Sequence, residues 1–417
     1  MRILILLLSS LLLLDIAKAQ DIEGCTDIQA NNYNNAATIN DGSCTYNPTI
    51  YKPEFRFILP DEVDETSGLI LYADAYWTHN DSGGQPIIYK IDTTSGEVIQ
   101  RIRLANTNNV DWEEIAQDEE NIYIGDFGNN SGNRDDLSIY ILSKSNIPES
   151  GDTEVSSEKI TFTYPDYPGR IDKKKNNNFD CEAMIATDNW LFLFSKNRGD
   201  NQSKLYRLPK IPGEYTADLI TTFNTNGLVT GADLNASKDE LILVGYTNNS
   251  WIPFLWLMFD FEGEDFYSGN KRRIDMINIT ATQTEGICYT DGNKGIISSE
   301  SNPLFIQTMY NFTTELWTSE QTSSISTHKA VSFDYKVAPN PITKKKVTLY
   351  FEELPANHYD IAIYDSMGNM VITEKYSIKR HESGTKLRIK LNDIKSGIYF
   401  VRVSSDNGVV EKKFIKE

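Results

Sequence analysis

The stretch of sequence that decides the fold is Asp111–Tyr140, DWEEIAQDEENIYIGDFGNNSGNRDDLSIY. It opens with acidic residues beside a short apolar run, and a polar turn follows. The apolar strand Ile122–Ile124 then ends at Gly125-Asp126, and a loop rich in Asn, Gly and Asp leads to a second strand at Leu137–Leu142. Short apolar runs bounded by turn residues predict antiparallel β-strands.

Weaker copies of this opening recur along the chain. Each copy places an acidic or small residue before an apolar one, followed by a polar turn, an apolar strand and a polar or charged exit. The five copies begin at Thr66, Trp112, Cys181, Thr230 and Thr284. Further strands follow each copy, and about four short antiparallel strands in every ~50 residues are typical of a propeller blade.

The repeat therefore predicts an all-β fold in which residues 51–316 form a five-bladed β-propeller. The blade count becomes six if Tyr310–Trp317 belongs to an additional, degenerate blade. The leading strand Glu54–Leu59 is expected to close the ring as the outer strand of the last blade. A β-sandwich is the alternative architecture, but it does not explain why the same opening returns along the chain.

Propeller geometry predicts where polar groups converge, because the first strand of each blade lines the central channel. Glu113, Glu182 and Glu285 occupy the same place in three copies, and Ser67 and Gly231 occupy it in the other two. Carboxylates that converge repel one another, so they must bind a cation, pair with a base or take up protons.

We predict a ligand-binding site at the mouth of this channel. Its candidate residues are Asp111, Glu113, Asp126, Asn129, Arg134, Glu182, Lys196, Asp233, Glu285 and Glu300. Glu113, Glu182 and Glu285 are also the candidate metal ligands, and Ca²⁺ is the cofactor considered because it prefers oxygen ligands. Structural ion pairing, metal binding and direct catalysis all stay open as roles for these three glutamates.

Direct support for hydrolase chemistry is weak in this sequence. His79 and Asp81 are spaced to act as an acid–base pair, and the loop after Asp126 is either a tight turn or a source of ligand oxygens. The chain contains no Gly-x-Ser-x-Gly elbow, HExxH motif or CxxC zinc spacing. No nucleophile can therefore be named.

The N-terminus predicts export. Arg2, the apolar run Ile3–Leu14 and the small-x-small site at Ala17–Ala19 make residues 1–19 a secretory signal peptide. The expected partner for this segment is the Sec machinery. No other segment is long and apolar enough to cross a membrane, so no transmembrane anchor is predicted.

The four cysteines fall into two classes. Cys25 and Cys44 lie in residues 20–50, a small polar module with almost no core, and export permits the disulfide that would staple it. Cys181 and Cys288 lie in apolar, strand-like runs, so they are expected to be buried free thiols.

The net charge is −19, and the negative charge is concentrated before Tyr335 because the C-terminal segment is net basic. An acidic main body argues against nucleic acid or anionic lipid as a partner. Residues 317–334 are rich in Ser, Thr and Gln and predict a linker. Residues 335–417 predict a small C-terminal β-sandwich, with strands at Val347–Phe351, Tyr359–Tyr364, Lys386–Leu391, Gly397–Val403 and Val409–Ile415.

Three segments resemble families of exported proteins. Residues 24–44, GCTDIQANNYNNAATINDGSC, resemble short units found in exported proteins of the Bacteroidetes phylum. Residues 60–315 resemble an uncharacterised family of bacterial exported propellers, through Asp111–Glu114, Tyr123–Asp126, Gly128–Asn130, Arg134 and Val229–Asp233. Residues 335–417 resemble the type A sorting domain of the type IX secretion system, through Pro339–Pro341, Tyr364-Asp365, Ser396–Tyr399 and Lys413-Phe414.

These resemblances imply export but no reaction. They imply the type IX secretion machinery as a partner and a location that is secreted or on the outer cell surface, reached through the periplasm. Two functions follow as hypotheses. The first is a propeller that binds an unknown ligand or partner at its acidic channel mouth. The second is a secreted, Ca²⁺-dependent hydrolase of esters, lactones or phosphoesters.

Overall fold

The computed structural model describes residues 21–171, 176–318, 335–351, 353–354, 357–365, 370–378, 382–391, 394–405 and 408–417. The predicted signal peptide and all but the first two residues of the predicted linker lie outside these ranges. The chain divides into two compact units, Met1–Ser319 and Glu320–Glu417. The regular secondary structure of both units is almost entirely β-strand, which confirms the predicted all-β class.

The first unit begins with four short strands and then builds two sheets. The initial strands are β1 (Glu23–Gly24), β2 (Ile39–Asn40), β3 (Thr49–Ile50) and β4 (Glu54–Ile58). Sheet one contains β5 (Thr66–Tyr72), β6 (Ala75–Asn80), β7 (Ile87–Asp92) and β8 (Val98–Leu104). Sheet two contains β9 (Trp112–Gln117), β10 (Asn121–Asp126) and β11 (Ser138–Ser143); β12 (Thr153–Val155) then returns to sheet one before β13 (Glu158–Thr163) completes sheet two.

Three more sheets follow in sequence order. Sheet three contains β14 (Cys181–Ala186), β15 (Trp190–Ser195) and β16 (Ser203–Pro209); β17 (Gly213–Thr216) then joins sheet two, and β18 (Asp218–Phe223) completes sheet three. Sheet four contains β19 (Leu228–Leu234), β20 (Glu240–Tyr246), β21 (Pro253–Phe259) and β22 (Asn270–Asp275). Sheet five contains β23 (Gln283–Asp291), β24 (Lys294–Glu300) and β25 (Thr308–Thr313).

The fourth strand of sheet five comes from the start of the chain. Strand β4 pairs antiparallel with β25, as the sequence predicted for the leading strand. Tyr310–Thr313, considered as part of an extra blade, lies in the third strand of sheet five. The described residues also include three 3₁₀ turns, Asp61–Val63, Lys144–Asn146 and Ile277–Ile279, and the short α-helix α1 (Glu315–Thr318).

The five sheets are arranged in a closed ring. Their first strands β5, β9, β14, β19 and β23 contact one another in that order, and β23 also contacts β5. An apolar cluster fills each interface: Trp77 of sheet one packs with Trp112 of sheet two, for example, and Leu69 of sheet one packs with Cys288 of sheet five. Because each interface buries its own core, no single sheet needs to be stable alone.

The outer edges of three sheets are covered by short parallel strands. Strand β12 covers β8, β17 covers β13, and β3 covers β22. An uncovered edge would present a row of free backbone N–H and C=O groups to other chains. These additions therefore protect sheets one, two and four from edge-to-edge association.

The N-terminal module is closed by a Cys25–Cys44 disulfide, which confirms the predicted pair. It packs on the outer strand of sheet four, where Asn40 Nδ2 donates to Asn270 Oδ1 at 3.1 Å. Arg272 of the same strand lies 4.6 Å from the ring of Tyr46. Cys181 and Cys288 are free and buried, also as predicted.

The second unit contains two larger sheets around one apolar core. The first joins β26 (Tyr335–Ala338), β27 (Lys346–Phe351) and β32 (Lys386–Lys390), and the second joins β29 (Asn357–Asp365), β30 (Met370–Ile378), β33 (Gly397–Ser405) and β34 (Gly408–Lys416). A small ladder joins β28 (Glu353–Leu354) and β31 (Glu382–Ser383). Val347, Ile363 and Val401 are fully buried in this core.

Candidate functional site

A β-bulge near the start of each first strand shapes the channel. In β9, Trp112 pairs with Asp126 and Glu114 pairs with Gly125, which leaves Glu113 as the extra residue. The corresponding extra residues in β14, β19 and β23 are Glu182, Thr230 and Glu285. A bulge redirects the side chain of its extra residue, and all three glutamates line one cavity.

The bulge residue of β19 differs from the sequence prediction. The sequence aligned Gly231 with the glutamates, but the bulge shift makes Thr230 the equivalent residue. The Thr230 hydroxyl donates to Thr284 O at 2.6 Å, and Ser67 Oγ donates to Glu113 O at 2.7 Å. These two hydroxyl groups therefore tie neighbouring first strands together, which is a structural role.

One end of the channel opens into a cavity of about 370 Å³, called the mouth cavity below. It is lined by Asp81, Glu113, Asn130, Glu182, Lys196, Arg198, Leu228, Tyr246, Asn248, Trp251, Gln283, Glu285 and Glu300. Nearly all of these side chains are polar or charged. Trp251, which is 41% exposed, provides an aromatic surface at its edge.

Acidic groups outnumber bases in and beneath this cavity. The carboxyl groups belong to Asp81, Asp111, Glu113, Asp126, Asp180, Glu182, Glu285 and Glu300, whereas the bases are Arg134, Lys196 and Arg198. The site therefore carries excess negative charge unless some carboxyl groups keep protons or a cation enters.

Lys196 and Arg198 neutralise the side of the cavity formed by sheet three. Lys196 Nζ forms an ion pair with Glu182, and both side chains are almost fully buried. An Arg198 Nη atom lies 3.6 Å from Asp180 Oδ2 and 3.8 Å from Glu182 Oε1. Arg198 also donates to Asn130 Oδ1 at 2.5 Å, which joins sheet three to the loop of sheet two.

Arg134, Asp126 and Asn129 stabilise the loop that follows β10, whose Asn130 lines the cavity. Arg134 donates to Asp126 Oδ1 at 2.9 Å and to Gly128 O at 2.8 Å. Asn129 Oδ1 accepts from the backbone N–H of Arg134 at 2.9 Å, and Asn129 N donates to Asp180 Oδ1 at 2.7 Å. These three predicted site residues therefore hold the loop in place and are not on the cavity wall.

Gly128 brings the loop backbone close to the acidic side chains. A Cβ atom at this position would lie 2.2 Å from Glu113 Oε1 and 2.5 Å from the carboxyl carbon of Asp111. Any side chain at this position would have to push these two carboxyl groups aside, so the glycine of the Gly-Asn-Asn segment lets them approach the loop backbone.

Burial raises the pKa of most carboxyl groups in the site. Burial and the neighbouring Asp111 raise the pKa of Asp81 to about 7, and burial raises the pKa of Asp111 to about 6 despite nearby Arg134. The pKa of Glu300 is raised to about 8 by burial and by Asp81. Burial and Glu182 raise the pKa of Glu113 well above its usual range. Several of these groups therefore hold protons near neutral pH.

The channel narrows below the mouth cavity. A Cβ on Gly286 would lie 2.9 Å from the backbone of Gly68, and a Cβ on Gly231 would lie 2.4 Å from Glu285 O. The buried side chain of Glu114 spans the channel at this level from sheet two to sheet four, where its Oε2 accepts a hydrogen bond from Ala232 N at 3.0 Å. These contacts separate the mouth cavity from a larger one of about 840 Å³ around Asp233.

Asp233 does not join the other predicted site residues. It lines the cavity beyond the constriction, and its Oδ2 accepts from Tyr289 N at 2.7 Å. The predicted acid–base pair of His79 and Asp81 is also not formed. His79 is fully buried, its Nδ1 lies 3.1 Å from Asn80 O, and its ring packs edge-on against Trp112.

The structure gathers the carboxyl groups into two sets and adds Asp180, which the repeat did not indicate. Asp81, Asp111 and Glu113 form one carboxylate group with ligand atoms within 4.8 Å of one another, and Glu113, Asp180 and Glu182 form another. Among the described residues, Glu285 joins neither group, so the structure does not gather the predicted metal set of Glu113, Glu182 and Glu285. Asp180 directly precedes the first strand β14, as Asp111 directly precedes the first strand β9, and that shared position was a usable signal.

Residues 336–417 match the family described as a secretion system C-terminal sorting domain. This match indicates export by the type IX secretion system. The exported protein reaches the cell surface or the medium. None of the curated proteins matches the chain. Among the described residues, no helix has the length and apolar character needed to cross a membrane.

Solved structures give only distant likenesses. An exo-β-1,3-galactanase from Phanerochaete chrysosporium is 10% identical, over 93% of this chain and 99% of that chain, with a TM-score of 0.41. Hydrazine synthase from Kuenenia stuttgartiensis is 9% identical over 84% and 78%, with a TM-score of 0.32. Hsv2 from Kluyveromyces lactis is 12% identical over 78% and 87%, with a TM-score of 0.27. TM-scores this low carry no argument about this chain.

Proposed function

We propose that this protein is an exported, five-bladed β-propeller that binds a small, positively charged ligand in its mouth cavity. In this proposal residues 51–316 form the propeller, 20–50 its stapled N-terminal module, 317–334 a linker and 335–417 a β-sandwich read by the secretion machinery. Residues 1–19 are the signal peptide used at the inner membrane. Membership of the exported-propeller family whose motifs the chain resembles stays a prediction.

The observation that carries the proposal is the uncompensated acidity of the mouth cavity. Lys196 and Arg198 contact only the acids of sheet three, Asp180 and Glu182, among the described residues. Glu285 and Glu300 also line the cavity, and neither has an ion pair within 4.0 Å in the described part of the chain. Burial raises the pKa values of Glu285 and Glu300, so a cationic ligand would displace protons from these carboxyl groups and pair with the carboxylates that remain. Partial burial would strengthen this attraction.

The proposal is tested by calorimetric titration of the exported chain with spermidine. We expect saturable binding that weakens at least ~tenfold, equal to about 1.4 kcal/mol, in Glu285→Gln and in Glu300→Gln. Asp188→Asn is the matched control, because the Asp188 side chain is 79% exposed, pairs with Lys238 on the surface and does not line the mouth cavity. Binding that is absent in the wild type, or equal in all four proteins, would refute this function.

A hydrolase of esters, lactones or phosphoesters is the second candidate. It is favoured by two carboxyl groups on the neighbouring strands β23 and β24, Glu285 and Glu300, which face the same cavity. Burial raises the pKa of both, which suits proton transfer. Turnover of any such substrate by the wild type, lost in Glu300→Gln but kept in Asp188→Asn, would favour this candidate over simple binding.

A further inference from the structure

Three carboxyl groups meet where sheets one and two join, at the wall of the mouth cavity. One carboxylate oxygen from each of Asp81, Asp111 and Glu113 lies within 4.8 Å of the other two. Asp81 follows the second strand of sheet one, whereas Asp111 and Glu113 flank Trp112 at the start of sheet two. These residues are called the carboxylate triad below.

The most buried member of the triad lacks a hydrogen-bond partner. Glu113 is 3% exposed, and its Oε1 accepts no hydrogen bond from any described residue. A buried polar atom without a partner costs about 1–3 kcal/mol, so proteins rarely keep one without a reason. Its neighbours in both carboxylate groups are other acids, so a proton, a water molecule or a cation must satisfy it, and of these only a cation also offsets the repulsion among the ionised acids.

The nearby bases are already engaged with other acids. Arg134 pairs with Asp126 at 2.9 Å and with Asp136 at 2.9 Å. Lys196 and Arg198 pair with Glu182 and Asp180. No ion pair within 4.0 Å reaches the triad from any described residue. The second carboxylate group shares Glu113, but Lys196 and Arg198 occupy its other two members.

The backbone around the triad is fixed by hydrogen bonds. Asp111 N donates to Asp126 Oδ1 at 3.1 Å, and Asp111 O accepts from Gly128 N at 3.1 Å. Asn109 Nδ2 donates to Asp81 O at 2.7 Å, while Asn109 Oδ1 accepts from Trp112 N at 3.1 Å. The carboxyl groups are therefore held together by their surroundings in spite of their mutual repulsion, which is the preorganisation that a binding site needs.

We propose that the carboxylate triad binds one Ca²⁺ ion. The inference rests on the proposed function, because it names the positive charge that the acidic mouth accepts on this wall. Ca²⁺ takes six to eight oxygen ligands, and three carboxylates leave positions for water or for a ligand in the mouth cavity. The absence of His and Cys from the triad disfavours Zn²⁺, which prefers nitrogen and sulfur ligands.

The test is calorimetric titration of the chelator-treated exported chain with CaCl₂. We expect one site with a Kd of roughly 10⁻⁴–10⁻³ M, the range of extracellular calcium modules. Asp111→Asn and Asp81→Asn should each weaken the affinity at least ~tenfold, and Asp188→Asn should leave it unchanged. Thermal melting without Ca²⁺ is measured in parallel, and neither triad variant should melt earlier than the wild type, because each relieves repulsion among buried acids.

The outcomes separate the metal site from the proposed function. Equal Ca²⁺ affinity in the wild type, Asp111→Asn and Asp81→Asn would overturn the inference. A wild type that binds spermidine but shows no saturable Ca²⁺ binding would also overturn it, while leaving the proposed function intact. A wild type that binds neither probe would remove both.

Discussion

Replacing Lys196 by Met should destabilise the first unit strongly. The Lys196 and Glu182 side chains are only 4% and 3% exposed, so the substitution leaves a buried carboxylate whose remaining base, Arg198, lies 3.8 Å away. Breaking a buried ion pair from one side costs about 3–5 kcal/mol. The surface pair of Lys238 with Asp188 provides the contrast, because exposed pairs contribute about 0–1 kcal/mol.

The assay is urea unfolding followed by tryptophan fluorescence, with chelator present. All six tryptophans precede residue 319, so the signal reports on the first unit alone. We expect Lys196→Met to lose about 3–5 kcal/mol and Lys238→Met to lose less than about 1 kcal/mol. The double variant Glu182→Leu with Lys196→Met should recover most of the loss, because it also removes the Glu182 carboxylate that the single variant leaves without its lysine. A loss below about 1 kcal/mol in Lys196→Met, or a double variant as unstable as the single one, would refute this reasoning.

Three further predictions follow from the same structure. Replacing Cys25 and Cys44 by Ser opens a loop with a sequence separation of 19, and this should lower the free energy of unfolding by roughly 3 kcal/mol. The loss is measured as a lower urea midpoint. An unchanged midpoint would show that the module adds no stability. Asp233→Asn should become more stable relative to wild type as pH rises from about 4 to about 7. Burial raises the folded-state pKa of Asp233 to about 7, whereas the unfolded chain releases that proton near 3.8, so the wild type loses stability over this range and the Asn variant does not. Curves of stability against pH that stay parallel for the two proteins would contradict this. Gly128→Ala should weaken Ca²⁺ binding at least ~tenfold, because its methyl group would displace the Glu113 carboxylate, and calorimetry showing wild-type affinity would contradict the close approach.

The architecture could be predicted from the sequence because the same strand–turn–strand pattern recurs in each of the five sheets. Each opening, such as Trp112–Ile115, combines an apolar strand start with a turn, and the same packing problem recurs at every interface between sheets. The strand β4 was also predictable, since an apolar run before the first opening needs a partner. Local pattern and global arrangement agree in these elements.

The site was predicted only in part, because bulges and close backbone approaches leave little trace in sequence. A shift of one residue moved the equivalent position from Gly231 to Thr230. Asp233 is acidic and lies in the first strand β19, but its position near the end of that strand places it in the other cavity, beyond the constriction. Asp126 and Asn129 have the residue types of ligands, but their partners lie in the loop and in sheet three, which no spacing rule reveals.

The central claim is that the acidic channel mouth holds a cation between Asp81, Asp111 and Glu113. The most direct measurement is a crystal structure of the exported chain grown with CaCl₂, with an anomalous difference map collected at long wavelength. The expected result is one peak at about 2.3–2.6 Å from a carboxylate oxygen of each residue. A map with no peak between these three residues, at a Ca²⁺ concentration of several times ~1 mM, would contradict the claim.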